Sequence, residues 1–95
     1  MSEVAALVGS EATRRFTRGA LLGAAELGFS VEDIVACVKA LTLADFYACI
    51  ASDTDHTLWM DVYRPIYKGE RLYVKLYVET LENGRRVAVL SFKAQ

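Results

Sequence analysis

The spacing of hydrophobic positions changes once along the chain, from every three or four residues to every second residue. The helical spacing predicts helices over residues 4–8 and 18–27, with Gly28 just after the second, and a further helix that Ser30 caps. The alternating spacing predicts strands over residues 58–63, 72–79 and 85–93, separated by turns at residues 68–69 and 82–84. Residues 13–17 are predicted as an edge strand or an extended link. The predicted fold class is therefore α+β, with N-terminal helices packed on an antiparallel β-sheet formed mainly by the C-terminal half.

The middle of the chain carries two more specific expectations. Thr42 is predicted to begin a third short helix, with Asp45 completing a capping box. The buried stripe of this helix would consist of Leu43, Phe46, Tyr47 and Ile50. Further along, strand alternation puts Met60 on the same face as Leu58 and Val62, which predicts a position in the core.

Composition narrows the class of protein. A length of 95 residues with 54% hydrophobic residues fits one compact domain over residues 1–95. No apolar run is long enough to span a membrane and no secretory signal precedes the domain, so we expect a cytoplasmic protein without membrane contact. Cys37 and Cys49 fall in predicted helices without metal-ligand spacing, which predicts two buried thiols rather than a disulfide. With a single histidine besides, we expect no metal site and no cofactor.

The register of the last hairpin can be predicted because one face must be apolar throughout. A two-residue loop at Asn83 and Gly84 would set a polar residue opposite each core residue. A three-residue loop with Gly84 in the left-handed bulge position shifts the register by one residue. The pairs would then be Leu76 with Leu90, Val74 with Phe92, and Val78 with Ala88.

The same register predicts the outward face of this hairpin. Tyr73 lies across from Lys93 and Lys75 lies across from Ser91, with Tyr77 on the same side. Lysines hold phosphates and aromatic rings stack on unpaired bases, so this combination suits single-stranded RNA. An ordinary solvated sheet face is the other interpretation.

Charge is divided unevenly between the two halves. Residues 1–62 contain four basic and nine acidic side chains, a balance of −5, whereas residues 63–95 contain seven basic and three acidic ones, a balance of +4. This division is consistent with a polyanion bound on the sheet side. Lysine and arginine also protect strand edges against aggregation, so charge alone leaves both interpretations open.

Catalytic motifs of the common kinds are absent from the sequence. There is no Gly-rich phosphate loop, zinc pattern or nucleophile elbow. Asp55 and His56 are a candidate acid–base pair, but adjacent loop residues seldom face each other. A structural or hydrogen-bonding role for His56 is the alternative.

Several short segments occur in a characteristic order. The most specific runs from residue 55 to residue 65, Asp-His-Thr-Leu-Trp-Met-Asp-Val-Tyr-Arg-Pro. Others are Asp45-Phe46-Tyr47, Tyr73-Val74-Lys75 and Ser91-Phe92-Lys93. Together they resemble the MqsR family of bacterial toxins over nearly the whole chain. The resemblance implies a RelE-like fold and a metal-independent endoribonuclease of a type II toxin–antitoxin pair that cuts messenger RNA. It also implies a cognate antitoxin that contains zinc and binds DNA.

The residues that the resemblance assigns to the site are only partly present. Tyr73 and Lys93 match the family's tyrosine and C-terminal lysine. Ala48 stands where the family has a lysine after the Phe-Tyr pair, and Met60 stands where it has a glutamine after the tryptophan. Both departures remove a polar group. A bulge at Pro65 would be one way to move Met60 from the core to the site.

Metal-free RNA cleavage by the ribose 2′-OH needs a base, an acid and cations around the phosphate. Tyr73 is the candidate for proton transfer and Lys93 for stabilising the phosphorane. Lys75 and Arg64 are expected to hold phosphates, and His56 is expected to bind RNA or exchange a proton. Three functions remain open: an active ribonuclease toxin, an MqsR-like binding module without catalysis, and a single-stranded nucleic-acid binder.

Overall fold

The computed structural model describes residues 2–52 and 58–95 as helices on one face of a sheet. The elements in chain order are α1 (Ser2–Val8), β1 (Arg14–Phe16), α2 (Arg18–Glu26), α3 (Val31–Lys39), β2 (Phe46–Ala51), β3 (Trp59–Tyr63), β4 (Ile66–Tyr67), β5 (Glu70–Leu81) and β6 (Gly84–Ala94). Short 3-10 turns at Glu11–Thr13 and Leu43–Asp45 precede β1 and β2. The predicted α+β class and RelE-like arrangement are confirmed. Within the described ranges, no helix has the length and apolar character needed to cross a membrane.

The sheet has the strand order β1-β6-β5-β3-β2, and β4 pairs with the start of β5. All neighbouring strands are antiparallel except β1, which runs parallel to β6. The segment predicted as an edge strand or a link is therefore an edge strand. Because β1 has only three residues, it covers the edge of β6 only as far as the pair of Phe16 with Val89.

The core lies between the helices and the two long strands β5 and β6. Its strand residues include Leu72, Val74, Leu76, Val87, Val89 and Phe92, each at most 1% exposed. Its helix residues include Val8, Ala20, Ala24, Ile34 and Val38, also at most 1% exposed. Burial on this scale is the main favourable term for a chain of this size.

Helix α3 begins where the sequence predicts and is tied to the sheet by its capping residue. The Ser30 hydroxyl accepts from the Asp33 N–H at 3.3 Å, and the Asp33 carboxylate accepts from the Ser30 N–H at 2.9 Å. The second oxygen of Asp33 accepts from the Tyr67 hydroxyl and the Lys68 ammonium, both at 2.8 Å. Lys68 and Gly69, with φ of 49° and 81°, form the two-residue turn between β4 and β5. One carboxylate thus joins the start of α3 to this hairpin.

The predicted third helix is wrong. Asp45 does accept from the Thr42 N–H at 2.9 Å, but only one 3-10 turn follows before the chain enters β2. The Asp45 carbonyl, which a continuing helix would use, accepts instead from the Arg64 N–H at 2.7 Å. Its predicted buried stripe is exposed: Leu43 82%, Phe46 44%, Tyr47 59% and Ile50 36%. Cys49, predicted as a buried helical thiol, lies exposed in β2, whereas Cys37 is buried in α3 as expected; both are free.

The hairpin of β5 and β6 confirms the predicted pairs at one end and corrects those at the other. Tyr73 pairs with Lys93, Val74 with Phe92, and Lys75 with Ser91, as predicted. Nearer the turn, Leu76 pairs with Val89, Val78 with Val87, and Leu81 with Gly84. The loop is therefore two residues long, and the extra residue is Leu90, in the strand. The bulge keeps Val87, Val89 and Phe92 on one face. The prediction had satisfied the same need for one apolar face with a longer turn.

The bulge has a specific hydrogen-bond partner. The Thr17 hydroxyl donates to the Leu90 carbonyl at 2.8 Å, and the Thr17 N–H donates to the Val89 carbonyl at 3.1 Å. The same hydroxyl accepts from the Ala20 N–H at 3.2 Å as the N-cap of α2. A bulge leaves a ladder carbonyl without its strand partner, so this threonine stabilises the bulge and the helix start together.

Helix α2 lies beside β6 where β1 has ended. Gly23 faces the backbone there, because a Cβ at this position would overlap the Phe92 carbonyl oxygen and come within 3.3 Å of the Lys93 Cβ. The absence of a side chain at Gly23 therefore lets the helix approach the last strand closely.

We expect Thr17→Val to lower the free energy of unfolding by about 1–3 kcal/mol, because it removes the helix cap and leaves the Leu90 carbonyl without a donor. Thr17→Ser keeps the hydroxyl and is expected to cost less than about 1 kcal/mol. Urea unfolding measures both. Equal losses for the two variants would show that the hydroxyl does not hold the bulge.

Candidate functional site

The outer face, defined as the side of the sheet opposite the helices, carries most of the residues singled out from the sequence. Residues paired across a sheet point to the same side, so this face follows from the registers. Residues that lie side by side on neighbouring strands form one level of this face. From one end of the sheet to the other, the levels are Ile66 and Arg71; Arg64, Tyr73 and Lys93; Ala48, Val62, Lys75 and Ser91; Ile50, Met60, Tyr77, Ala88 and Arg15; and Glu79 with Arg86.

Tyr73 and Lys93 are in contact on this face. The Lys93 ammonium lies 5.2 Å from the centre of the Tyr73 ring. Lys93 is exposed and Tyr73 is half-buried, so the pair is open to a ligand. A cation this close to a phenol ring is attracted electrostatically by the face of the ring.

Arg64 lies level with Tyr73. The pairs formed by β3 and by β4 with β5 follow one continuous register, and the Leu72 N–H donates to the Pro65 carbonyl at 2.9 Å between them. Pro65 therefore interrupts the strand without a bulge. The Arg64 guanidinium stacks over the Tyr47 ring at 4.3 Å, which fixes its position beside the site.

Met60 is buried, as predicted, but on the other side of the sheet. Val62 pairs with Lys75, and Tyr63 pairs with the core residue Val74, so Tyr63 rather than Met60 faces the helices. Met60 and Val62 are 7% and 2% exposed under the outer face. No bulge is needed to bring Met60 to the site face, because the ordinary alternation of β3 does so.

Ala48 belongs to the same face. It pairs with Val62, which in turn pairs with Lys75, so Ala48 lies two strands from Lys75, roughly 10 Å away. The four positions that the resemblance singles out, Ala48, Met60, Tyr73 and Lys93, thus share one side of the sheet. Two of them contribute apolar surface there. Asp55 and His56 lie outside the described residues.

A second group on this face was not predicted. The Glu79 carboxylate accepts from Arg15 at 2.9 and 3.4 Å, from Arg86 at 2.7 Å and from the Tyr77 hydroxyl at 2.7 Å. The hydrogen bond from Arg15 is the largest of the interactions that lower the Glu79 pKa to about 2, so this carboxylate is ionised at neutral pH. The hydrogen bond to Glu79 also raises the Arg15 pKa. Alternation alone shows Tyr77 and Glu79 together, but nothing in the sequence pairs β1 with β6.

The outer face is strongly cationic. Its basic side chains are Arg15, Arg71, Lys75, Arg86 and Lys93 in the described strands and Arg64 between β3 and β4, set against the carboxylate of Glu79. The whole chain, by contrast, has a net charge of −1. Charge is therefore concentrated on one surface, as expected for a protein that binds a polyanion.

Comparison with known proteins places this fold in a family of toxins. The model of the family described as "Motility quorum-sensing regulator, toxin of MqsA" matches residues 1–94, and the chain belongs to this MqsR toxin family. It is similar to a protein of Escherichia coli (strain K12) named "mRNA interferase toxin MqsR", with 37% identity over 93 residues, 98% of this chain and 89% of the relative. The family predicted from the short segments is confirmed.

The ionised Glu79 carboxylate predicts that part of the folding stability is lost in acid. A carboxyl whose pKa is lowered on folding from 4.5 to about 2 contributes stability above pH 4.5 and loses it as the pH falls toward 2. We therefore expect the stability advantage of the wild type over Glu79→Gln to shrink between pH 5 and pH 3. Denaturant unfolding at several pH values measures this difference, in which the contributions of the other carboxyls cancel. A difference that does not change with pH would contradict the ionised network.

Proposed function

We propose that this protein is a type II toxin that cleaves messenger RNA as an endoribonuclease, with Tyr73 and Lys93 as catalytic residues. The observation that carries the proposal is the contact of the Lys93 ammonium with the Tyr73 ring, 5.2 Å apart, on the cationic face. Arg64 at the same level and Lys75 two residues along β5 are the proposed phosphate-binding residues. His56 belongs to the proposal on the sequence alone.

The proposed reaction is attack of a ribose 2′-OH on the adjacent phosphorus. The bond from phosphorus to the 5′-oxygen breaks, a 2′,3′-cyclic phosphate forms, and the proton of the 2′-OH leaves as the 5′-oxygen gains one. Tyr73 is the group proposed to exchange a proton, because it carries a hydroxyl on the cationic face and contacts Lys93 through its ring. Lys93 and Arg64 would stabilise the charge that develops on the equatorial phosphate oxygens.

The proposed partner is an antitoxin. The family is described as the toxin of MqsA, and the E. coli relative is named an mRNA interferase toxin. For this chain we propose a cognate antitoxin that contains zinc and binds DNA, and a cytoplasmic site of action.

A second candidate function is an MqsR-like binding module with weakened or lost catalysis. Its support is the apolar half of the outer face, where Ala48 and the buried Met60 offer no polar group. Removing one stabilising group from such a site costs about 10²–10³ in rate. With two such groups replaced, the protein would be either a slow ribonuclease or an inactive one.

Expression in a bacterial host tests the first function. We expect wild-type protein to arrest growth and to cut mRNA, and Lys93→Ala to abolish both, because it removes the cation next to Tyr73. Lys93 is exposed, so the variant should fold, which circular dichroism checks. Arg85→Ala is the matched control, since Arg85 pairs with Glu3 at 3.1 Å on the helix side. Growth arrest that survives Lys93→Ala would sink this site.

Restoring the lost cation separates the two candidates. Ala48→Lys is expected to raise the cleavage rate by about tenfold or more, because it returns a positive charge to the level of Lys75. Ala25→Lys adds the same charge on an exposed position of α2 and should leave the rate unchanged. Gel assays on one defined RNA give both rates. Well-folded wild type without cleavage, together with cleavage by Ala48→Lys, would establish the weakened module.

A further inference from the structure

We propose that Arg15 and Arg86, held in place by Glu79, form a second phosphate-binding subsite for the same RNA strand, away from the bond that is cut. This inference rests on the proposed function for its ligand. It assigns a role to side chains that neither the sequence patterns nor the resemblance singles out.

The first argument is the geometry of the group. Glu79 binds Arg15 through Nε and one terminal nitrogen, and binds Arg86 through Nε at 2.7 Å. In the described part of the chain, Nη1 of Arg15 and both terminal nitrogens of Arg86 have no hydrogen-bond partner. Both guanidinium groups are therefore fixed in orientation and keep donors for a ligand.

The second argument is charge. One carboxylate neutralises one of two guanidinium groups, so the cluster keeps a charge of about +1. The ion pair of Arg15 with Glu79 is enough to connect the side chains of β1 to those of β5. Arg86 lies on β6, next to β5 by ordinary strand pairing, and adds a cation that this structural role does not require. The Arg86 side chain is 32% exposed and the Arg15 side chain is 38% exposed, so both reach solvent.

The third argument is the line along which these groups lie. Tyr73, Lys75, Tyr77 and Glu79 alternate along one side of β5. The level of Tyr77 and Arg15 is four residues from that of Tyr73 and Lys93, about 13 Å along the strand, with Lys75 halfway. A single strand of RNA crossing this face would meet cations at regular intervals, with the Tyr73 and Tyr77 rings beside its bases.

Two lengths of RNA test the subsite. The probes are mixed-sequence single strands of three and ten nucleotides, methylated at every 2′-oxygen so that they bind without being cut. We expect Arg86→Gln to weaken binding of the ten-nucleotide probe by about tenfold and of the three-nucleotide probe by less than about twofold. The slope of log K against log salt concentration should also become shallower by about 0.7, because one phosphate contact is lost. Arg15→Gln should act in the same direction.

Controls separate binding from folding. Arg85→Gln removes the adjacent arginine on the other side of the sheet and should bind both probes as the wild type does. Arg86→Lys keeps the charge and should keep the salt slope. Urea unfolding of each variant identifies any loss that is due to stability.

The outcomes for the two proposals are distinct. If Arg86→Gln and Arg15→Gln bind both probes with wild-type affinity and slope, the subsite is wrong and the network only joins strands. If the wild type binds the long probe through these arginines but cuts no RNA, the subsite stands and the ribonuclease proposal fails. If the wild type cuts RNA but binds the ten-nucleotide probe no more tightly than the three-nucleotide probe, the subsite fails and the ribonuclease proposal stands.

Discussion

The placement of cations on the outer face depends on the extra residue in β6. Val87, Val89 and Phe92 must all face the helices, yet their spacing does not allow it in a regular strand. The bulge at Leu90 resolves this conflict, and the same shift in alternation that turns Phe92 inward turns Lys93 outward. Apolar packing on one side of the sheet thereby determines which side chains face the other side. Thr17, whose hydroxyl binds the bulged carbonyl, connects this arrangement to the start of α2.

The parts of the fold that were predictable are those determined by local pattern or by one strong packing rule. Caps and turns such as Ser30 and Gly69 are local, and the far end of the β5–β6 register follows from the need for one apolar face. The failures arose where tertiary pairing overrides local preference. Thr42 and Asp45 form a helix-like cap, but pairing with β3 makes the next residues a strand. The position of the extra residue was also not predictable, because a turn and a bulge satisfy the same hydrophobic pattern.

The candidate site divides in the same way. Tyr73, Lys75 and Lys93 could be found from the sequence because they lie on one hairpin, and alternation decides which side they face. The side on which Met60 lies could not be decided, because β3 has a buried residue on each face, Tyr63 toward the helices and Val62 away from them. The Glu79 network includes Arg15, which is 64 positions distant along the chain, and a contact of that range has no signal in a single sequence.

Gly23 has a consequence that reaches beyond stability. It lies on a helix on the opposite side of the sheet from the proposed site, yet its missing side chain leaves room for the Phe92 carbonyl directly before Lys93. When a gene product stops growth, cells that carry an inactivating change in that gene survive and are selected. The surviving alleles should then include changes in α2, so that a genetic map of the toxin is broader than the proposed catalytic surface. A codon for glycine, which mutates to larger residues by single-base changes, would be one of the places where such alleles arise.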